Sequence, residues 1–357
     1  MRGISIYLNQ QSSEEQWAYL SQMKAYGFSA ILTSLHLPED DPTFYVEALK
    51  TLGSQAKQLD MELIADVSPS SLEHLGLTFE SAPNLLDWGV DGIRADYGIE
   101  PESIASLSHK MRIALNASTI TDSFLQTLIE LGLETAHTEA WHNFYPRPET
   151  GLAKAELQEQ NAKLQAAGIR TLAFVAGDGK RRGPLHQGLP TLEKHRNVAP
   201  FSAALELWRD AGVDKVMIGD PDLSDGSAEA FQAFDEGVVT LDAVWEKPGE
   251  AVMAIARQPH RQRLDPARDV VRSETSRFYA SQANVHISAD REASKSRLPG
   301  AITIDNELYG RYQGELQVAK VHLPADEKVN VVGYIAEEDL PLIHMLRPGE
   351  HFQFRDM

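Results

Sequence analysis

The first 220 residues alternate short apolar runs with longer amphipathic stretches, and this alternation limits the fold more than any other feature. Near-continuous apolar runs are typical of parallel strands buried on both faces. Eight strand–helix units in about 250 residues predict a TIM-type (β/α)₈ barrel, an α/β fold. A doubly wound sheet is the rival, but no G-x-G-x-x-G follows the first strand. The predicted strands are residues 3–8, 28–35, 61–67, 92–96, 112–117, 134–141, 170–176 and 215–219.

Local signals mark the start of several predicted helices. Ser12 and Glu15 have the spacing of a capping box. Asp41 and Pro42 supply an N-cap and a proline for the first turn of a second helix. Thr121 precedes a further apolar pattern with helical spacing.

The pattern changes after about residue 258, which predicts a second domain. Residues 239–257 are interpreted as the last barrel helix and residues 259–266 as a linker. Short alternating runs follow, so the barrel is predicted over residues 1–258 and a small β-rich domain over residues 262–357. Its predicted strands are residues 278–280, 301–304, 314–321, 329–335 and 351–354. Asp305 and Asn306 are interpreted as a turn, with a recognition surface as the alternative.

Composition excludes several classes of function. The 357 residues contain no cysteine, which excludes disulfides, thiolate catalysis and cysteine-ligated metals. The formal net charge of −19 argues against non-specific binding of nucleic acid, which needs a basic surface. Neither a signal-peptide core nor an apolar run of membrane-spanning length is present, so we expect a cytoplasmic protein without a membrane partner.

Four of the eight predicted strands finish in an aspartate, and the carboxyl ends of the strands carry the active site of a barrel enzyme. A single aspartate at such a position caps the next helix as readily as it performs chemistry. Several carboxyl groups on one rim raise one another's pKa, and acid–base cleavage of a glycosidic bond needs one protonated and one ionised group. The predicted catalytic residues are Asp66, Asp96, Asp178 and Asp220, with Glu193 as an outlying candidate.

Two loops concentrate groups that bind anions. Two prolines stiffen residues 142–152 around Arg147, which suits bidentate binding of phosphate or carboxylate. Residues 177–196 form a glycine-rich, basic loop after the seventh strand, near where barrels commonly bind phosphate. Ordinary surface loops are the alternative for both. The predicted substrate-binding residues are His36, Asn116, His142, Asn143, Arg147, Arg181, Arg182 and His186. The histidines have no metal-ligand spacing, so no metal or other cofactor is predicted.

Several motifs resemble the MupG family of 6-phospho-N-acetylmuramidases along the whole chain. The motifs are residues 3–7, 66–69, 94–98, 142–152, 182–185, 188–193, 219–221 and 305–307. The resemblance implies a TIM-type barrel followed by a cyclophilin-like β domain. It also implies a cytoplasmic glycoside hydrolase of peptidoglycan recycling, whose substrate is 6-phospho-N-acetylmuramic acid joined to N-acetylglucosamine. His186 and Gln187 stand where the family usually has an aromatic and an acidic residue, which would alter substrate preference.

The sequence leaves the mechanism and the oligomeric state open. Carboxyl groups about 5–5.5 Å apart would indicate a retaining mechanism and 6.5–9.5 Å an inverting one, and the N-acetyl group also allows substrate-assisted cleavage. An isomerase or lyase that acts on a free phosphosugar is the alternative enzyme, and a non-enzymatic carbohydrate-binding protein is the alternative outside catalysis. A homodimer is compatible with the sequence.

Overall fold

The computed structural model describes residues 1–8, 11–35, 42–95 and 99–357, which form two compact units, Met1–Ala228 and Glu229–Met357. In the first unit, eight parallel strands close into a barrel in chain order, as the sequence predicts. These strands are β1 (Arg2–Ile6), β2 (Ala30–Ser34), β3 (Glu62–Val67), β4 (Gly92–Ala95), β5 (Arg112–Asn116), β6 (Thr138–Trp141), β7 (Arg170–Val175) and β8 (Lys215–Ile218).

Helices follow the barrel strands, and their predicted starting signals are present where the structure describes them. Ser12 Oγ accepts from the Glu15 backbone N–H at 3.2 Å and the Glu15 carboxylate accepts in return at 2.8 Å, which completes the capping box. Asp41 lies outside the described residues. The α-helices up to the end of the first unit are α1 (Ser13–Ala25), α2 (Pro42–Gln58), α3 (Pro69–His74), α4 (Pro101–Ser108), α5 (Asp122–Glu130), α6 (Lys154–Ala166), α7 (Pro200–Asp210) and α8 (Asp225–Asp235), with 3₁₀ helices at Ala82–Trp88, Thr135–His137 and Glu193–His195.

The barrel interior is apolar in the middle and closed by charges at its amino-terminal end. Trp141, Phe174 and Met217 belong to a fully buried cluster inside the barrel. Below them, Lys215 Nζ contacts Glu62 Oε2 at 2.5 Å and Glu139 Oε2 at 3.0 Å. This buried cation is therefore neutralised by two carboxylates, far along its strand from the end where catalytic groups belong.

The second unit contains a mixed, mostly antiparallel sheet with the strand order β10-β15-β9-β14-β12-β13-β11. Its strands are β9 (Val238–Trp245), β10 (His260–Arg261), β11 (Val270–Arg272), β12 (Ala301–Asp305), β13 (Leu316–Ala319), β14 (Val329–Ile335) and β15 (His351–Asp356). Its helices are α9 (Glu250–Ala256), α10 (Ser276–Gln282) and α11 (Leu342–Met345), with 3₁₀ helices at Glu307–Tyr312 and Glu337–Asp339. The predicted β-rich second domain is confirmed, whereas its likeness to cyclophilin stays a prediction.

Three sequence interpretations of this region are wrong. Residues 239–257 are not one barrel helix, because Val238–Trp245 form β9 and pair with β14 and β15. In the chain, the first compact unit ends at Ala228, and the predicted domain bounds of 1–258 and 262–357 stay a prediction. Residues 278–280 lie in α10 rather than in a strand. The predicted linker contains β10, whose His260 is fully buried and stacks on Phe352. Among the described residues, no helix is long and apolar enough to span a membrane.

Candidate active site

Asp66 and Arg94 form a buried ion pair at the carboxyl ends of neighbouring barrel strands. The register aligns Asp66 on β3 with Arg94 on β4, and Arg94 Nη1 donates to Asp66 Oδ1 at 3.1 Å. Asp66 is 8% exposed and Arg94 is 6% exposed. The ion pair therefore fixes the position of the Asp66 carboxyl group at this end of the barrel.

Asn143 connects this ion pair to the loop after β6. Arg94 Nη2 donates to Asn143 Oδ1 at 2.5 Å, so the guanidinium bridges a carboxylate and an amide. The Asn143 backbone is fixed on both sides: its N–H donates to Ser118 Oγ at 2.9 Å, and its carbonyl accepts from Thr191 Oγ1 at 2.9 Å. The structure therefore brings Asp66 and Asn143, both predicted site residues, into one hydrogen-bonded group.

Arg182 lies against two aromatic rings at the same end of the barrel. Its Cζ is 4.0 Å from the centre of the Tyr7 ring and 5.9 Å from that of Phe144, the residue after Asn143. The Tyr7 hydroxyl donates to the Gly219 carbonyl at 2.6 Å, and burial raises the pKa of Tyr7 to about 12, so the phenol stays neutral. The rings fix a cation without neutralising it, and this arrangement leaves Arg182 able to bind an anion.

The carboxylate of Asp220 organises the loop that carries Arg182. Asp220 is 1% exposed. Its Oδ2 accepts from the backbone N–H groups of Gly177 at 2.9 Å and Leu189 at 3.0 Å, and its Oδ1 accepts from the Arg182 N–H at 2.9 Å. Gly177 has no room for a side chain, because a Cβ there would lie 2.3 Å from the Asp222 carbonyl oxygen. With these three bonds, Asp220 serves as a structural anchor.

Asp178 has a similar local function at the start of α8. Its Oδ1 accepts from the Ser224 N–H at 2.8 Å, and its Oδ2 accepts from the hydroxyls of Ser224 and Ser227 at 2.6 Å each. Ser224 itself caps α8, because its Oγ accepts from the Ser227 N–H at 3.2 Å, and Asp178 holds this cap from the loop after β7.

Glu193 fastens the loop after β6 to the loop after β7. Its Oε1 accepts from the Glu149 N–H and its Oε2 from the Gly151 N–H, both at 2.8 Å. The Arg196 guanidinium donates to the same two oxygens at 2.7 and 2.6 Å. The Arg196 hydrogen bonds, with help from the two backbone N–H groups, lower the pKa of Glu193 to about 2 despite its partial burial. A carboxyl group so firmly ionised cannot serve as a proton donor near neutral pH.

The other predicted binding residues are dispersed. His142 is fully buried on the outer side of β6, where its Nε2 contacts Asn161 Oδ1 of α6 at 2.8 Å and burial lowers its pKa. It alternates with the inward-facing Trp141 and Asn143, and it therefore lies in the barrel wall rather than at the mouth. Asn116 is half-buried at the end of β5, where its Oδ1 accepts from the Ser118 N–H at 3.1 Å.

The loop histidine and the remaining arginines lie nearer the surface. His186 is exposed and closes a turn. Its backbone N–H donates to the Arg182 carbonyl at 3.2 Å, and its ring Nδ1 lies 2.8 Å from the Arg181 carbonyl oxygen. Arg181 is half-buried, and Arg147 is exposed with no ion pair to any residue that the structure describes. His36 and Asp96 lie outside the described residues.

Three residues at this end of the barrel were not among the predicted site residues: Arg94, Tyr7 and Phe144. Arg94 follows Gly92 by two positions on a buried strand, so the alternation of strand side chains places it inside the barrel. An arginine inside a barrel needs a carboxylate partner, and this requirement was the available signal. Among the described residues, no group of three or more histidine, aspartate or glutamate side chains could hold a metal ion.

Comparisons with known proteins cover the whole chain. A family model described as "6-phospho-N-acetylmuramidase, N-terminal" matches residues 2–233, and one described as "6-phospho-N-acetylmuramidase, C-terminal" matches residues 239–355. A comparison with curated proteins gives no match.

Two solved structures are similar over nearly their full length. One is a conserved Enterococcus faecalis protein with an unknown function, which is 39% identical, with a TM-score of 0.90 and coverage of 100% of this chain and 96% of that one. The other is an uncharacterized B. cereus protein, which is 27% identical, with a TM-score of 0.76 and coverage of 99% of both chains.

Proposed function

Because the chain belongs to the 6-phospho-N-acetylmuramidase family of glycosidases, we propose that it hydrolyses 6-phospho-N-acetylmuramic acid joined to N-acetylglucosamine. The reaction would release two amino sugars for reuse in the cytoplasm, as part of peptidoglycan recycling. The observation that carries the proposal is that the carboxyl end of one barrel holds both a buried carboxyl group, Asp66, which pairs with Arg94, and a cation, Arg182, which lies over the Tyr7 ring.

We assign the carboxylate role to Asp66. The carboxylates of Asp178, Asp220 and Glu193 hold loops or a helix start, and a carboxylate that already accepts several hydrogen bonds is poorly placed to reach a substrate. Asp66 is instead held by a side chain, Arg94, that can also orient an incoming sugar. In this proposal, Asp66 acts at the anomeric carbon as nucleophile, as base for water, or as the group that orients the acetamide.

We assign the acid role to Asp96, which stands two positions after Arg94 in the sequence. It would protonate the leaving oxygen of N-acetylglucosamine. This assignment rests on elimination among the strand-end aspartates and on the sequence position of Asp96, and it is tested with the Asp96→Asn variant.

Arg182 is proposed to bind the 6-phosphate. Its planar guanidinium matches phosphate geometry. The Tyr7 ring and the hydrogen bond from the Arg182 N–H to Asp220 hold the arginine in place before the substrate arrives. Arg181 and Arg147 supply further positive charge from the loops. An acidic chain can therefore still attract a phosphorylated substrate through these local cations.

The test is incubation of the purified protein with the phosphorylated disaccharide and with the same disaccharide lacking phosphate, with products read by mass spectrometry. We expect release of N-acetylglucosamine from the phosphorylated compound and much slower release from the other. Loss of activity in Asp66→Asn, at a temperature where thermal unfolding shows the variant still folded, supports the carboxylate role. The absence of cleavage of the phosphorylated disaccharide refutes the function, and equal rates on both compounds refute the role of Arg182.

A further inference from the structure

The side chain of Asn143 is held at one end only, by the buried Arg94 guanidinium. Arg94 Nη2 donates to Asn143 Oδ1 at 2.5 Å, and no residue that the structure describes accepts a hydrogen bond from the Asn143 amide nitrogen. The side chain is half-buried, whereas the backbone N–H and carbonyl of Asn143 are fixed by Ser118 and Thr191. The amide can therefore leave Arg94 by rotation of the side chain alone, while the backbone keeps its hydrogen bonds.

Asn161 shows how a structural amide is held in the same barrel. Its Oδ1 lies 2.8 Å from His142 Nε2, and its Nδ2 donates to the Ala211 carbonyl at 2.8 Å. Asn161 is 1% exposed, so both ends of its amide are engaged and neither can be replaced from solvent. Asn143 has a single side-chain hydrogen bond, and that bond lies at the end of the barrel that carries the candidate site.

The Arg94 guanidinium needs an acceptor at Nη2 whether or not a ligand is bound, because a buried donor without a partner destabilises the protein. Arg94 already pairs with Asp66 at 3.1 Å, so an anion arriving at Nη2 would add negative charge beside that carboxyl group. A neutral acceptor avoids this repulsion. A guanidinium only donates hydrogen bonds, so a carbonyl oxygen, which only accepts them, suits Nη2 better than a hydroxyl does.

A sugar acetamido group offers the same chemical group as the side chain that it would replace, since both are neutral amides. The next residue, Phe144, lies beside the other arginine of the mouth, with Arg182 Cζ 5.9 Å from the centre of its ring. Consecutive Cα atoms are about 3.8 Å apart, so the guanidinium groups of Arg94 and Arg182 border the same part of the mouth. A phosphorylated amino sugar carries on one ring an amide for Arg94 and a phosphate for Arg182.

We propose that Asn143 is a placeholder for the acetamido group of the substrate. Its amide oxygen occupies Arg94 Nη2 in the free protein and gives way to the acetamido carbonyl oxygen when the sugar binds. Arg94 then selects an N-acetylated sugar, and Asn143 sets the strength of this selection, because the acetamido group must displace it. The inference rests on the proposed function, since it names the substrate group that the same site recognises. A placeholder differs from a contact residue in the sign of its effect: its removal tightens binding.

The test measures binding of N-acetylglucosamine 6-phosphate and of glucose 6-phosphate to the full chain by isothermal titration calorimetry. Both sugars carry the phosphate, and they differ in having an acetamido group or a hydroxyl on the second carbon. The readout is the selectivity, defined as the ratio of the two dissociation constants, because a change in phosphate binding affects both constants and cancels. The parent protein should bind the N-acetylated sugar about tenfold more tightly.

Asn143→Ala removes the competing amide and should raise the selectivity about 3–10-fold, through tighter binding of the N-acetylated sugar. Asn143→Asp places a carboxylate on Arg94 that is harder to displace, and it should lower the selectivity towards one. Asn197→Ala is the matched control, because it removes an exposed amide from the loop after β7, and it should keep the selectivity of the parent. Thermal unfolding shows whether each variant is folded at the temperature of the titration.

A lower selectivity in Asn143→Ala would show that Asn143 contacts the acetamido group directly, and this result overturns the placeholder role. Equal selectivity in the parent and both Asn143 variants overturns the inference as well, as does a parent that binds the two sugars equally or does not bind the N-acetylated one. Hydrolysis of the phosphorylated disaccharide is assayed separately. Hydrolysis without selectivity for the acetamido group refutes this inference alone, whereas selectivity without hydrolysis refutes the proposed function alone.

Discussion

Replacement of Asp220 by asparagine separates an anchoring role from a catalytic one. Asp220 accepts hydrogen bonds from three backbone N–H groups of the loop after β7, those of Gly177, Arg182 and Leu189. In Asp220→Asn, the amide oxygen can replace Oδ2 and keep the bonds from Gly177 and Leu189. The amide nitrogen then faces the Arg182 N–H, where a donor meets a donor. The change therefore releases the backbone of the arginine that we assign to phosphate binding.

The expected magnitude follows from that one lost interaction. A hydrogen bond to a charged group contributes about 1.5–3 kcal/mol, and the Arg182 bond is half-buried. We expect the barrel unit to lose about 2 kcal/mol of unfolding free energy, or about 4–8 °C in Tm for a unit of this size. If the same energy is lost from phosphate binding, KM for the phosphorylated disaccharide rises by up to about 30-fold.

The assay is steady-state hydrolysis of the phosphorylated and unphosphorylated disaccharides, together with thermal unfolding. We expect a higher KM for the phosphorylated compound, a kcat within about threefold of the parent, and little change for the unphosphorylated compound. Arg182→Lys is the matched variant, since it keeps the charge but not the planar fork, and it should show the same pattern of KM and kcat without the loss of stability. A fall of about 10³-fold or more in kcat at unchanged KM and unchanged Tm would show that Asp220 is catalytic and would refute the anchoring argument.

Four further changes test other parts of the structure. Asp66→Asn should lower kcat about 10²–10⁴-fold in steady-state kinetics, and it should also lower Tm in thermal unfolding, because it leaves the buried Arg94 guanidinium without its carboxylate partner. Arg94→Lys keeps the charge but cannot donate to both Asp66 and Asn143 as the guanidinium does, so the same kinetics should show a smaller fall, about tenfold. The pKa of Glu193 is about 2 in the folded protein, below its ordinary value of 4.5, so its contribution to stability is lost as pH falls from 4.5 to 2. In urea unfolding, Glu193→Gln should have about 2 kcal/mol less unfolding free energy at pH 7, and its unfolding free energy should depend less on pH in acid. The pKa of Asp339 is raised from 3.8 to about 7 in the folded protein, so its contribution to stability is complete below pH 3.8 and is lost as pH rises through 7. The unfolding free energy of the parent should therefore fall by at most about 4 kcal/mol between pH 4 and 7 in urea unfolding, and Asp339→Asn should remove this fall.

The barrel could be predicted because its strands are buried on both faces and most of them give a near-continuous apolar run. The helix prediction for residues 239–257 is wrong because this window contains a strand period of two followed by a helical period. Val239, Leu241 and Ala243 are buried and alternate along β9, while the apolar residues of α9 follow in the same window with helical spacing. Residues 278–280 are too few to show either period. The sheet partners of β9 come from residues 329–335 and 351–356, and no local pattern shows pairing across such a separation.

The candidate site was predictable as a location but not as a set of roles. Asp66, Asp178 and Asp220 look alike in the sequence, since each ends a barrel strand. Their functions differ because of what donates to them: a guanidinium for Asp66, serine hydroxyls and a backbone N–H for Asp178, and three backbone N–H groups for Asp220. Those donors come from distant segments or from backbone geometry, and neither is visible in the spacing of residues. The sequence makes Glu193 a candidate catalytic carboxylate, whereas in the structure it forms a bidentate ion pair with Arg196.

The two ends of the barrel show why the donors to a charged group, rather than the charge itself, indicate function. Lys215 and Asp66 are both nearly inaccessible and both ion-paired inside the barrel. Lys215 is enclosed by two carboxylates, so moving a proton or forming a covalent bond at its nitrogen would leave two buried negative charges unbalanced. Asp66 shares Arg94 with Asn143, and a substrate hydroxyl or acetamide can replace the neutral amide without leaving a charge uncompensated. At the carboxyl end of the barrel, a substrate can therefore take the place of the Asn143 amide on Arg94, which suits this end to bind and release a substrate.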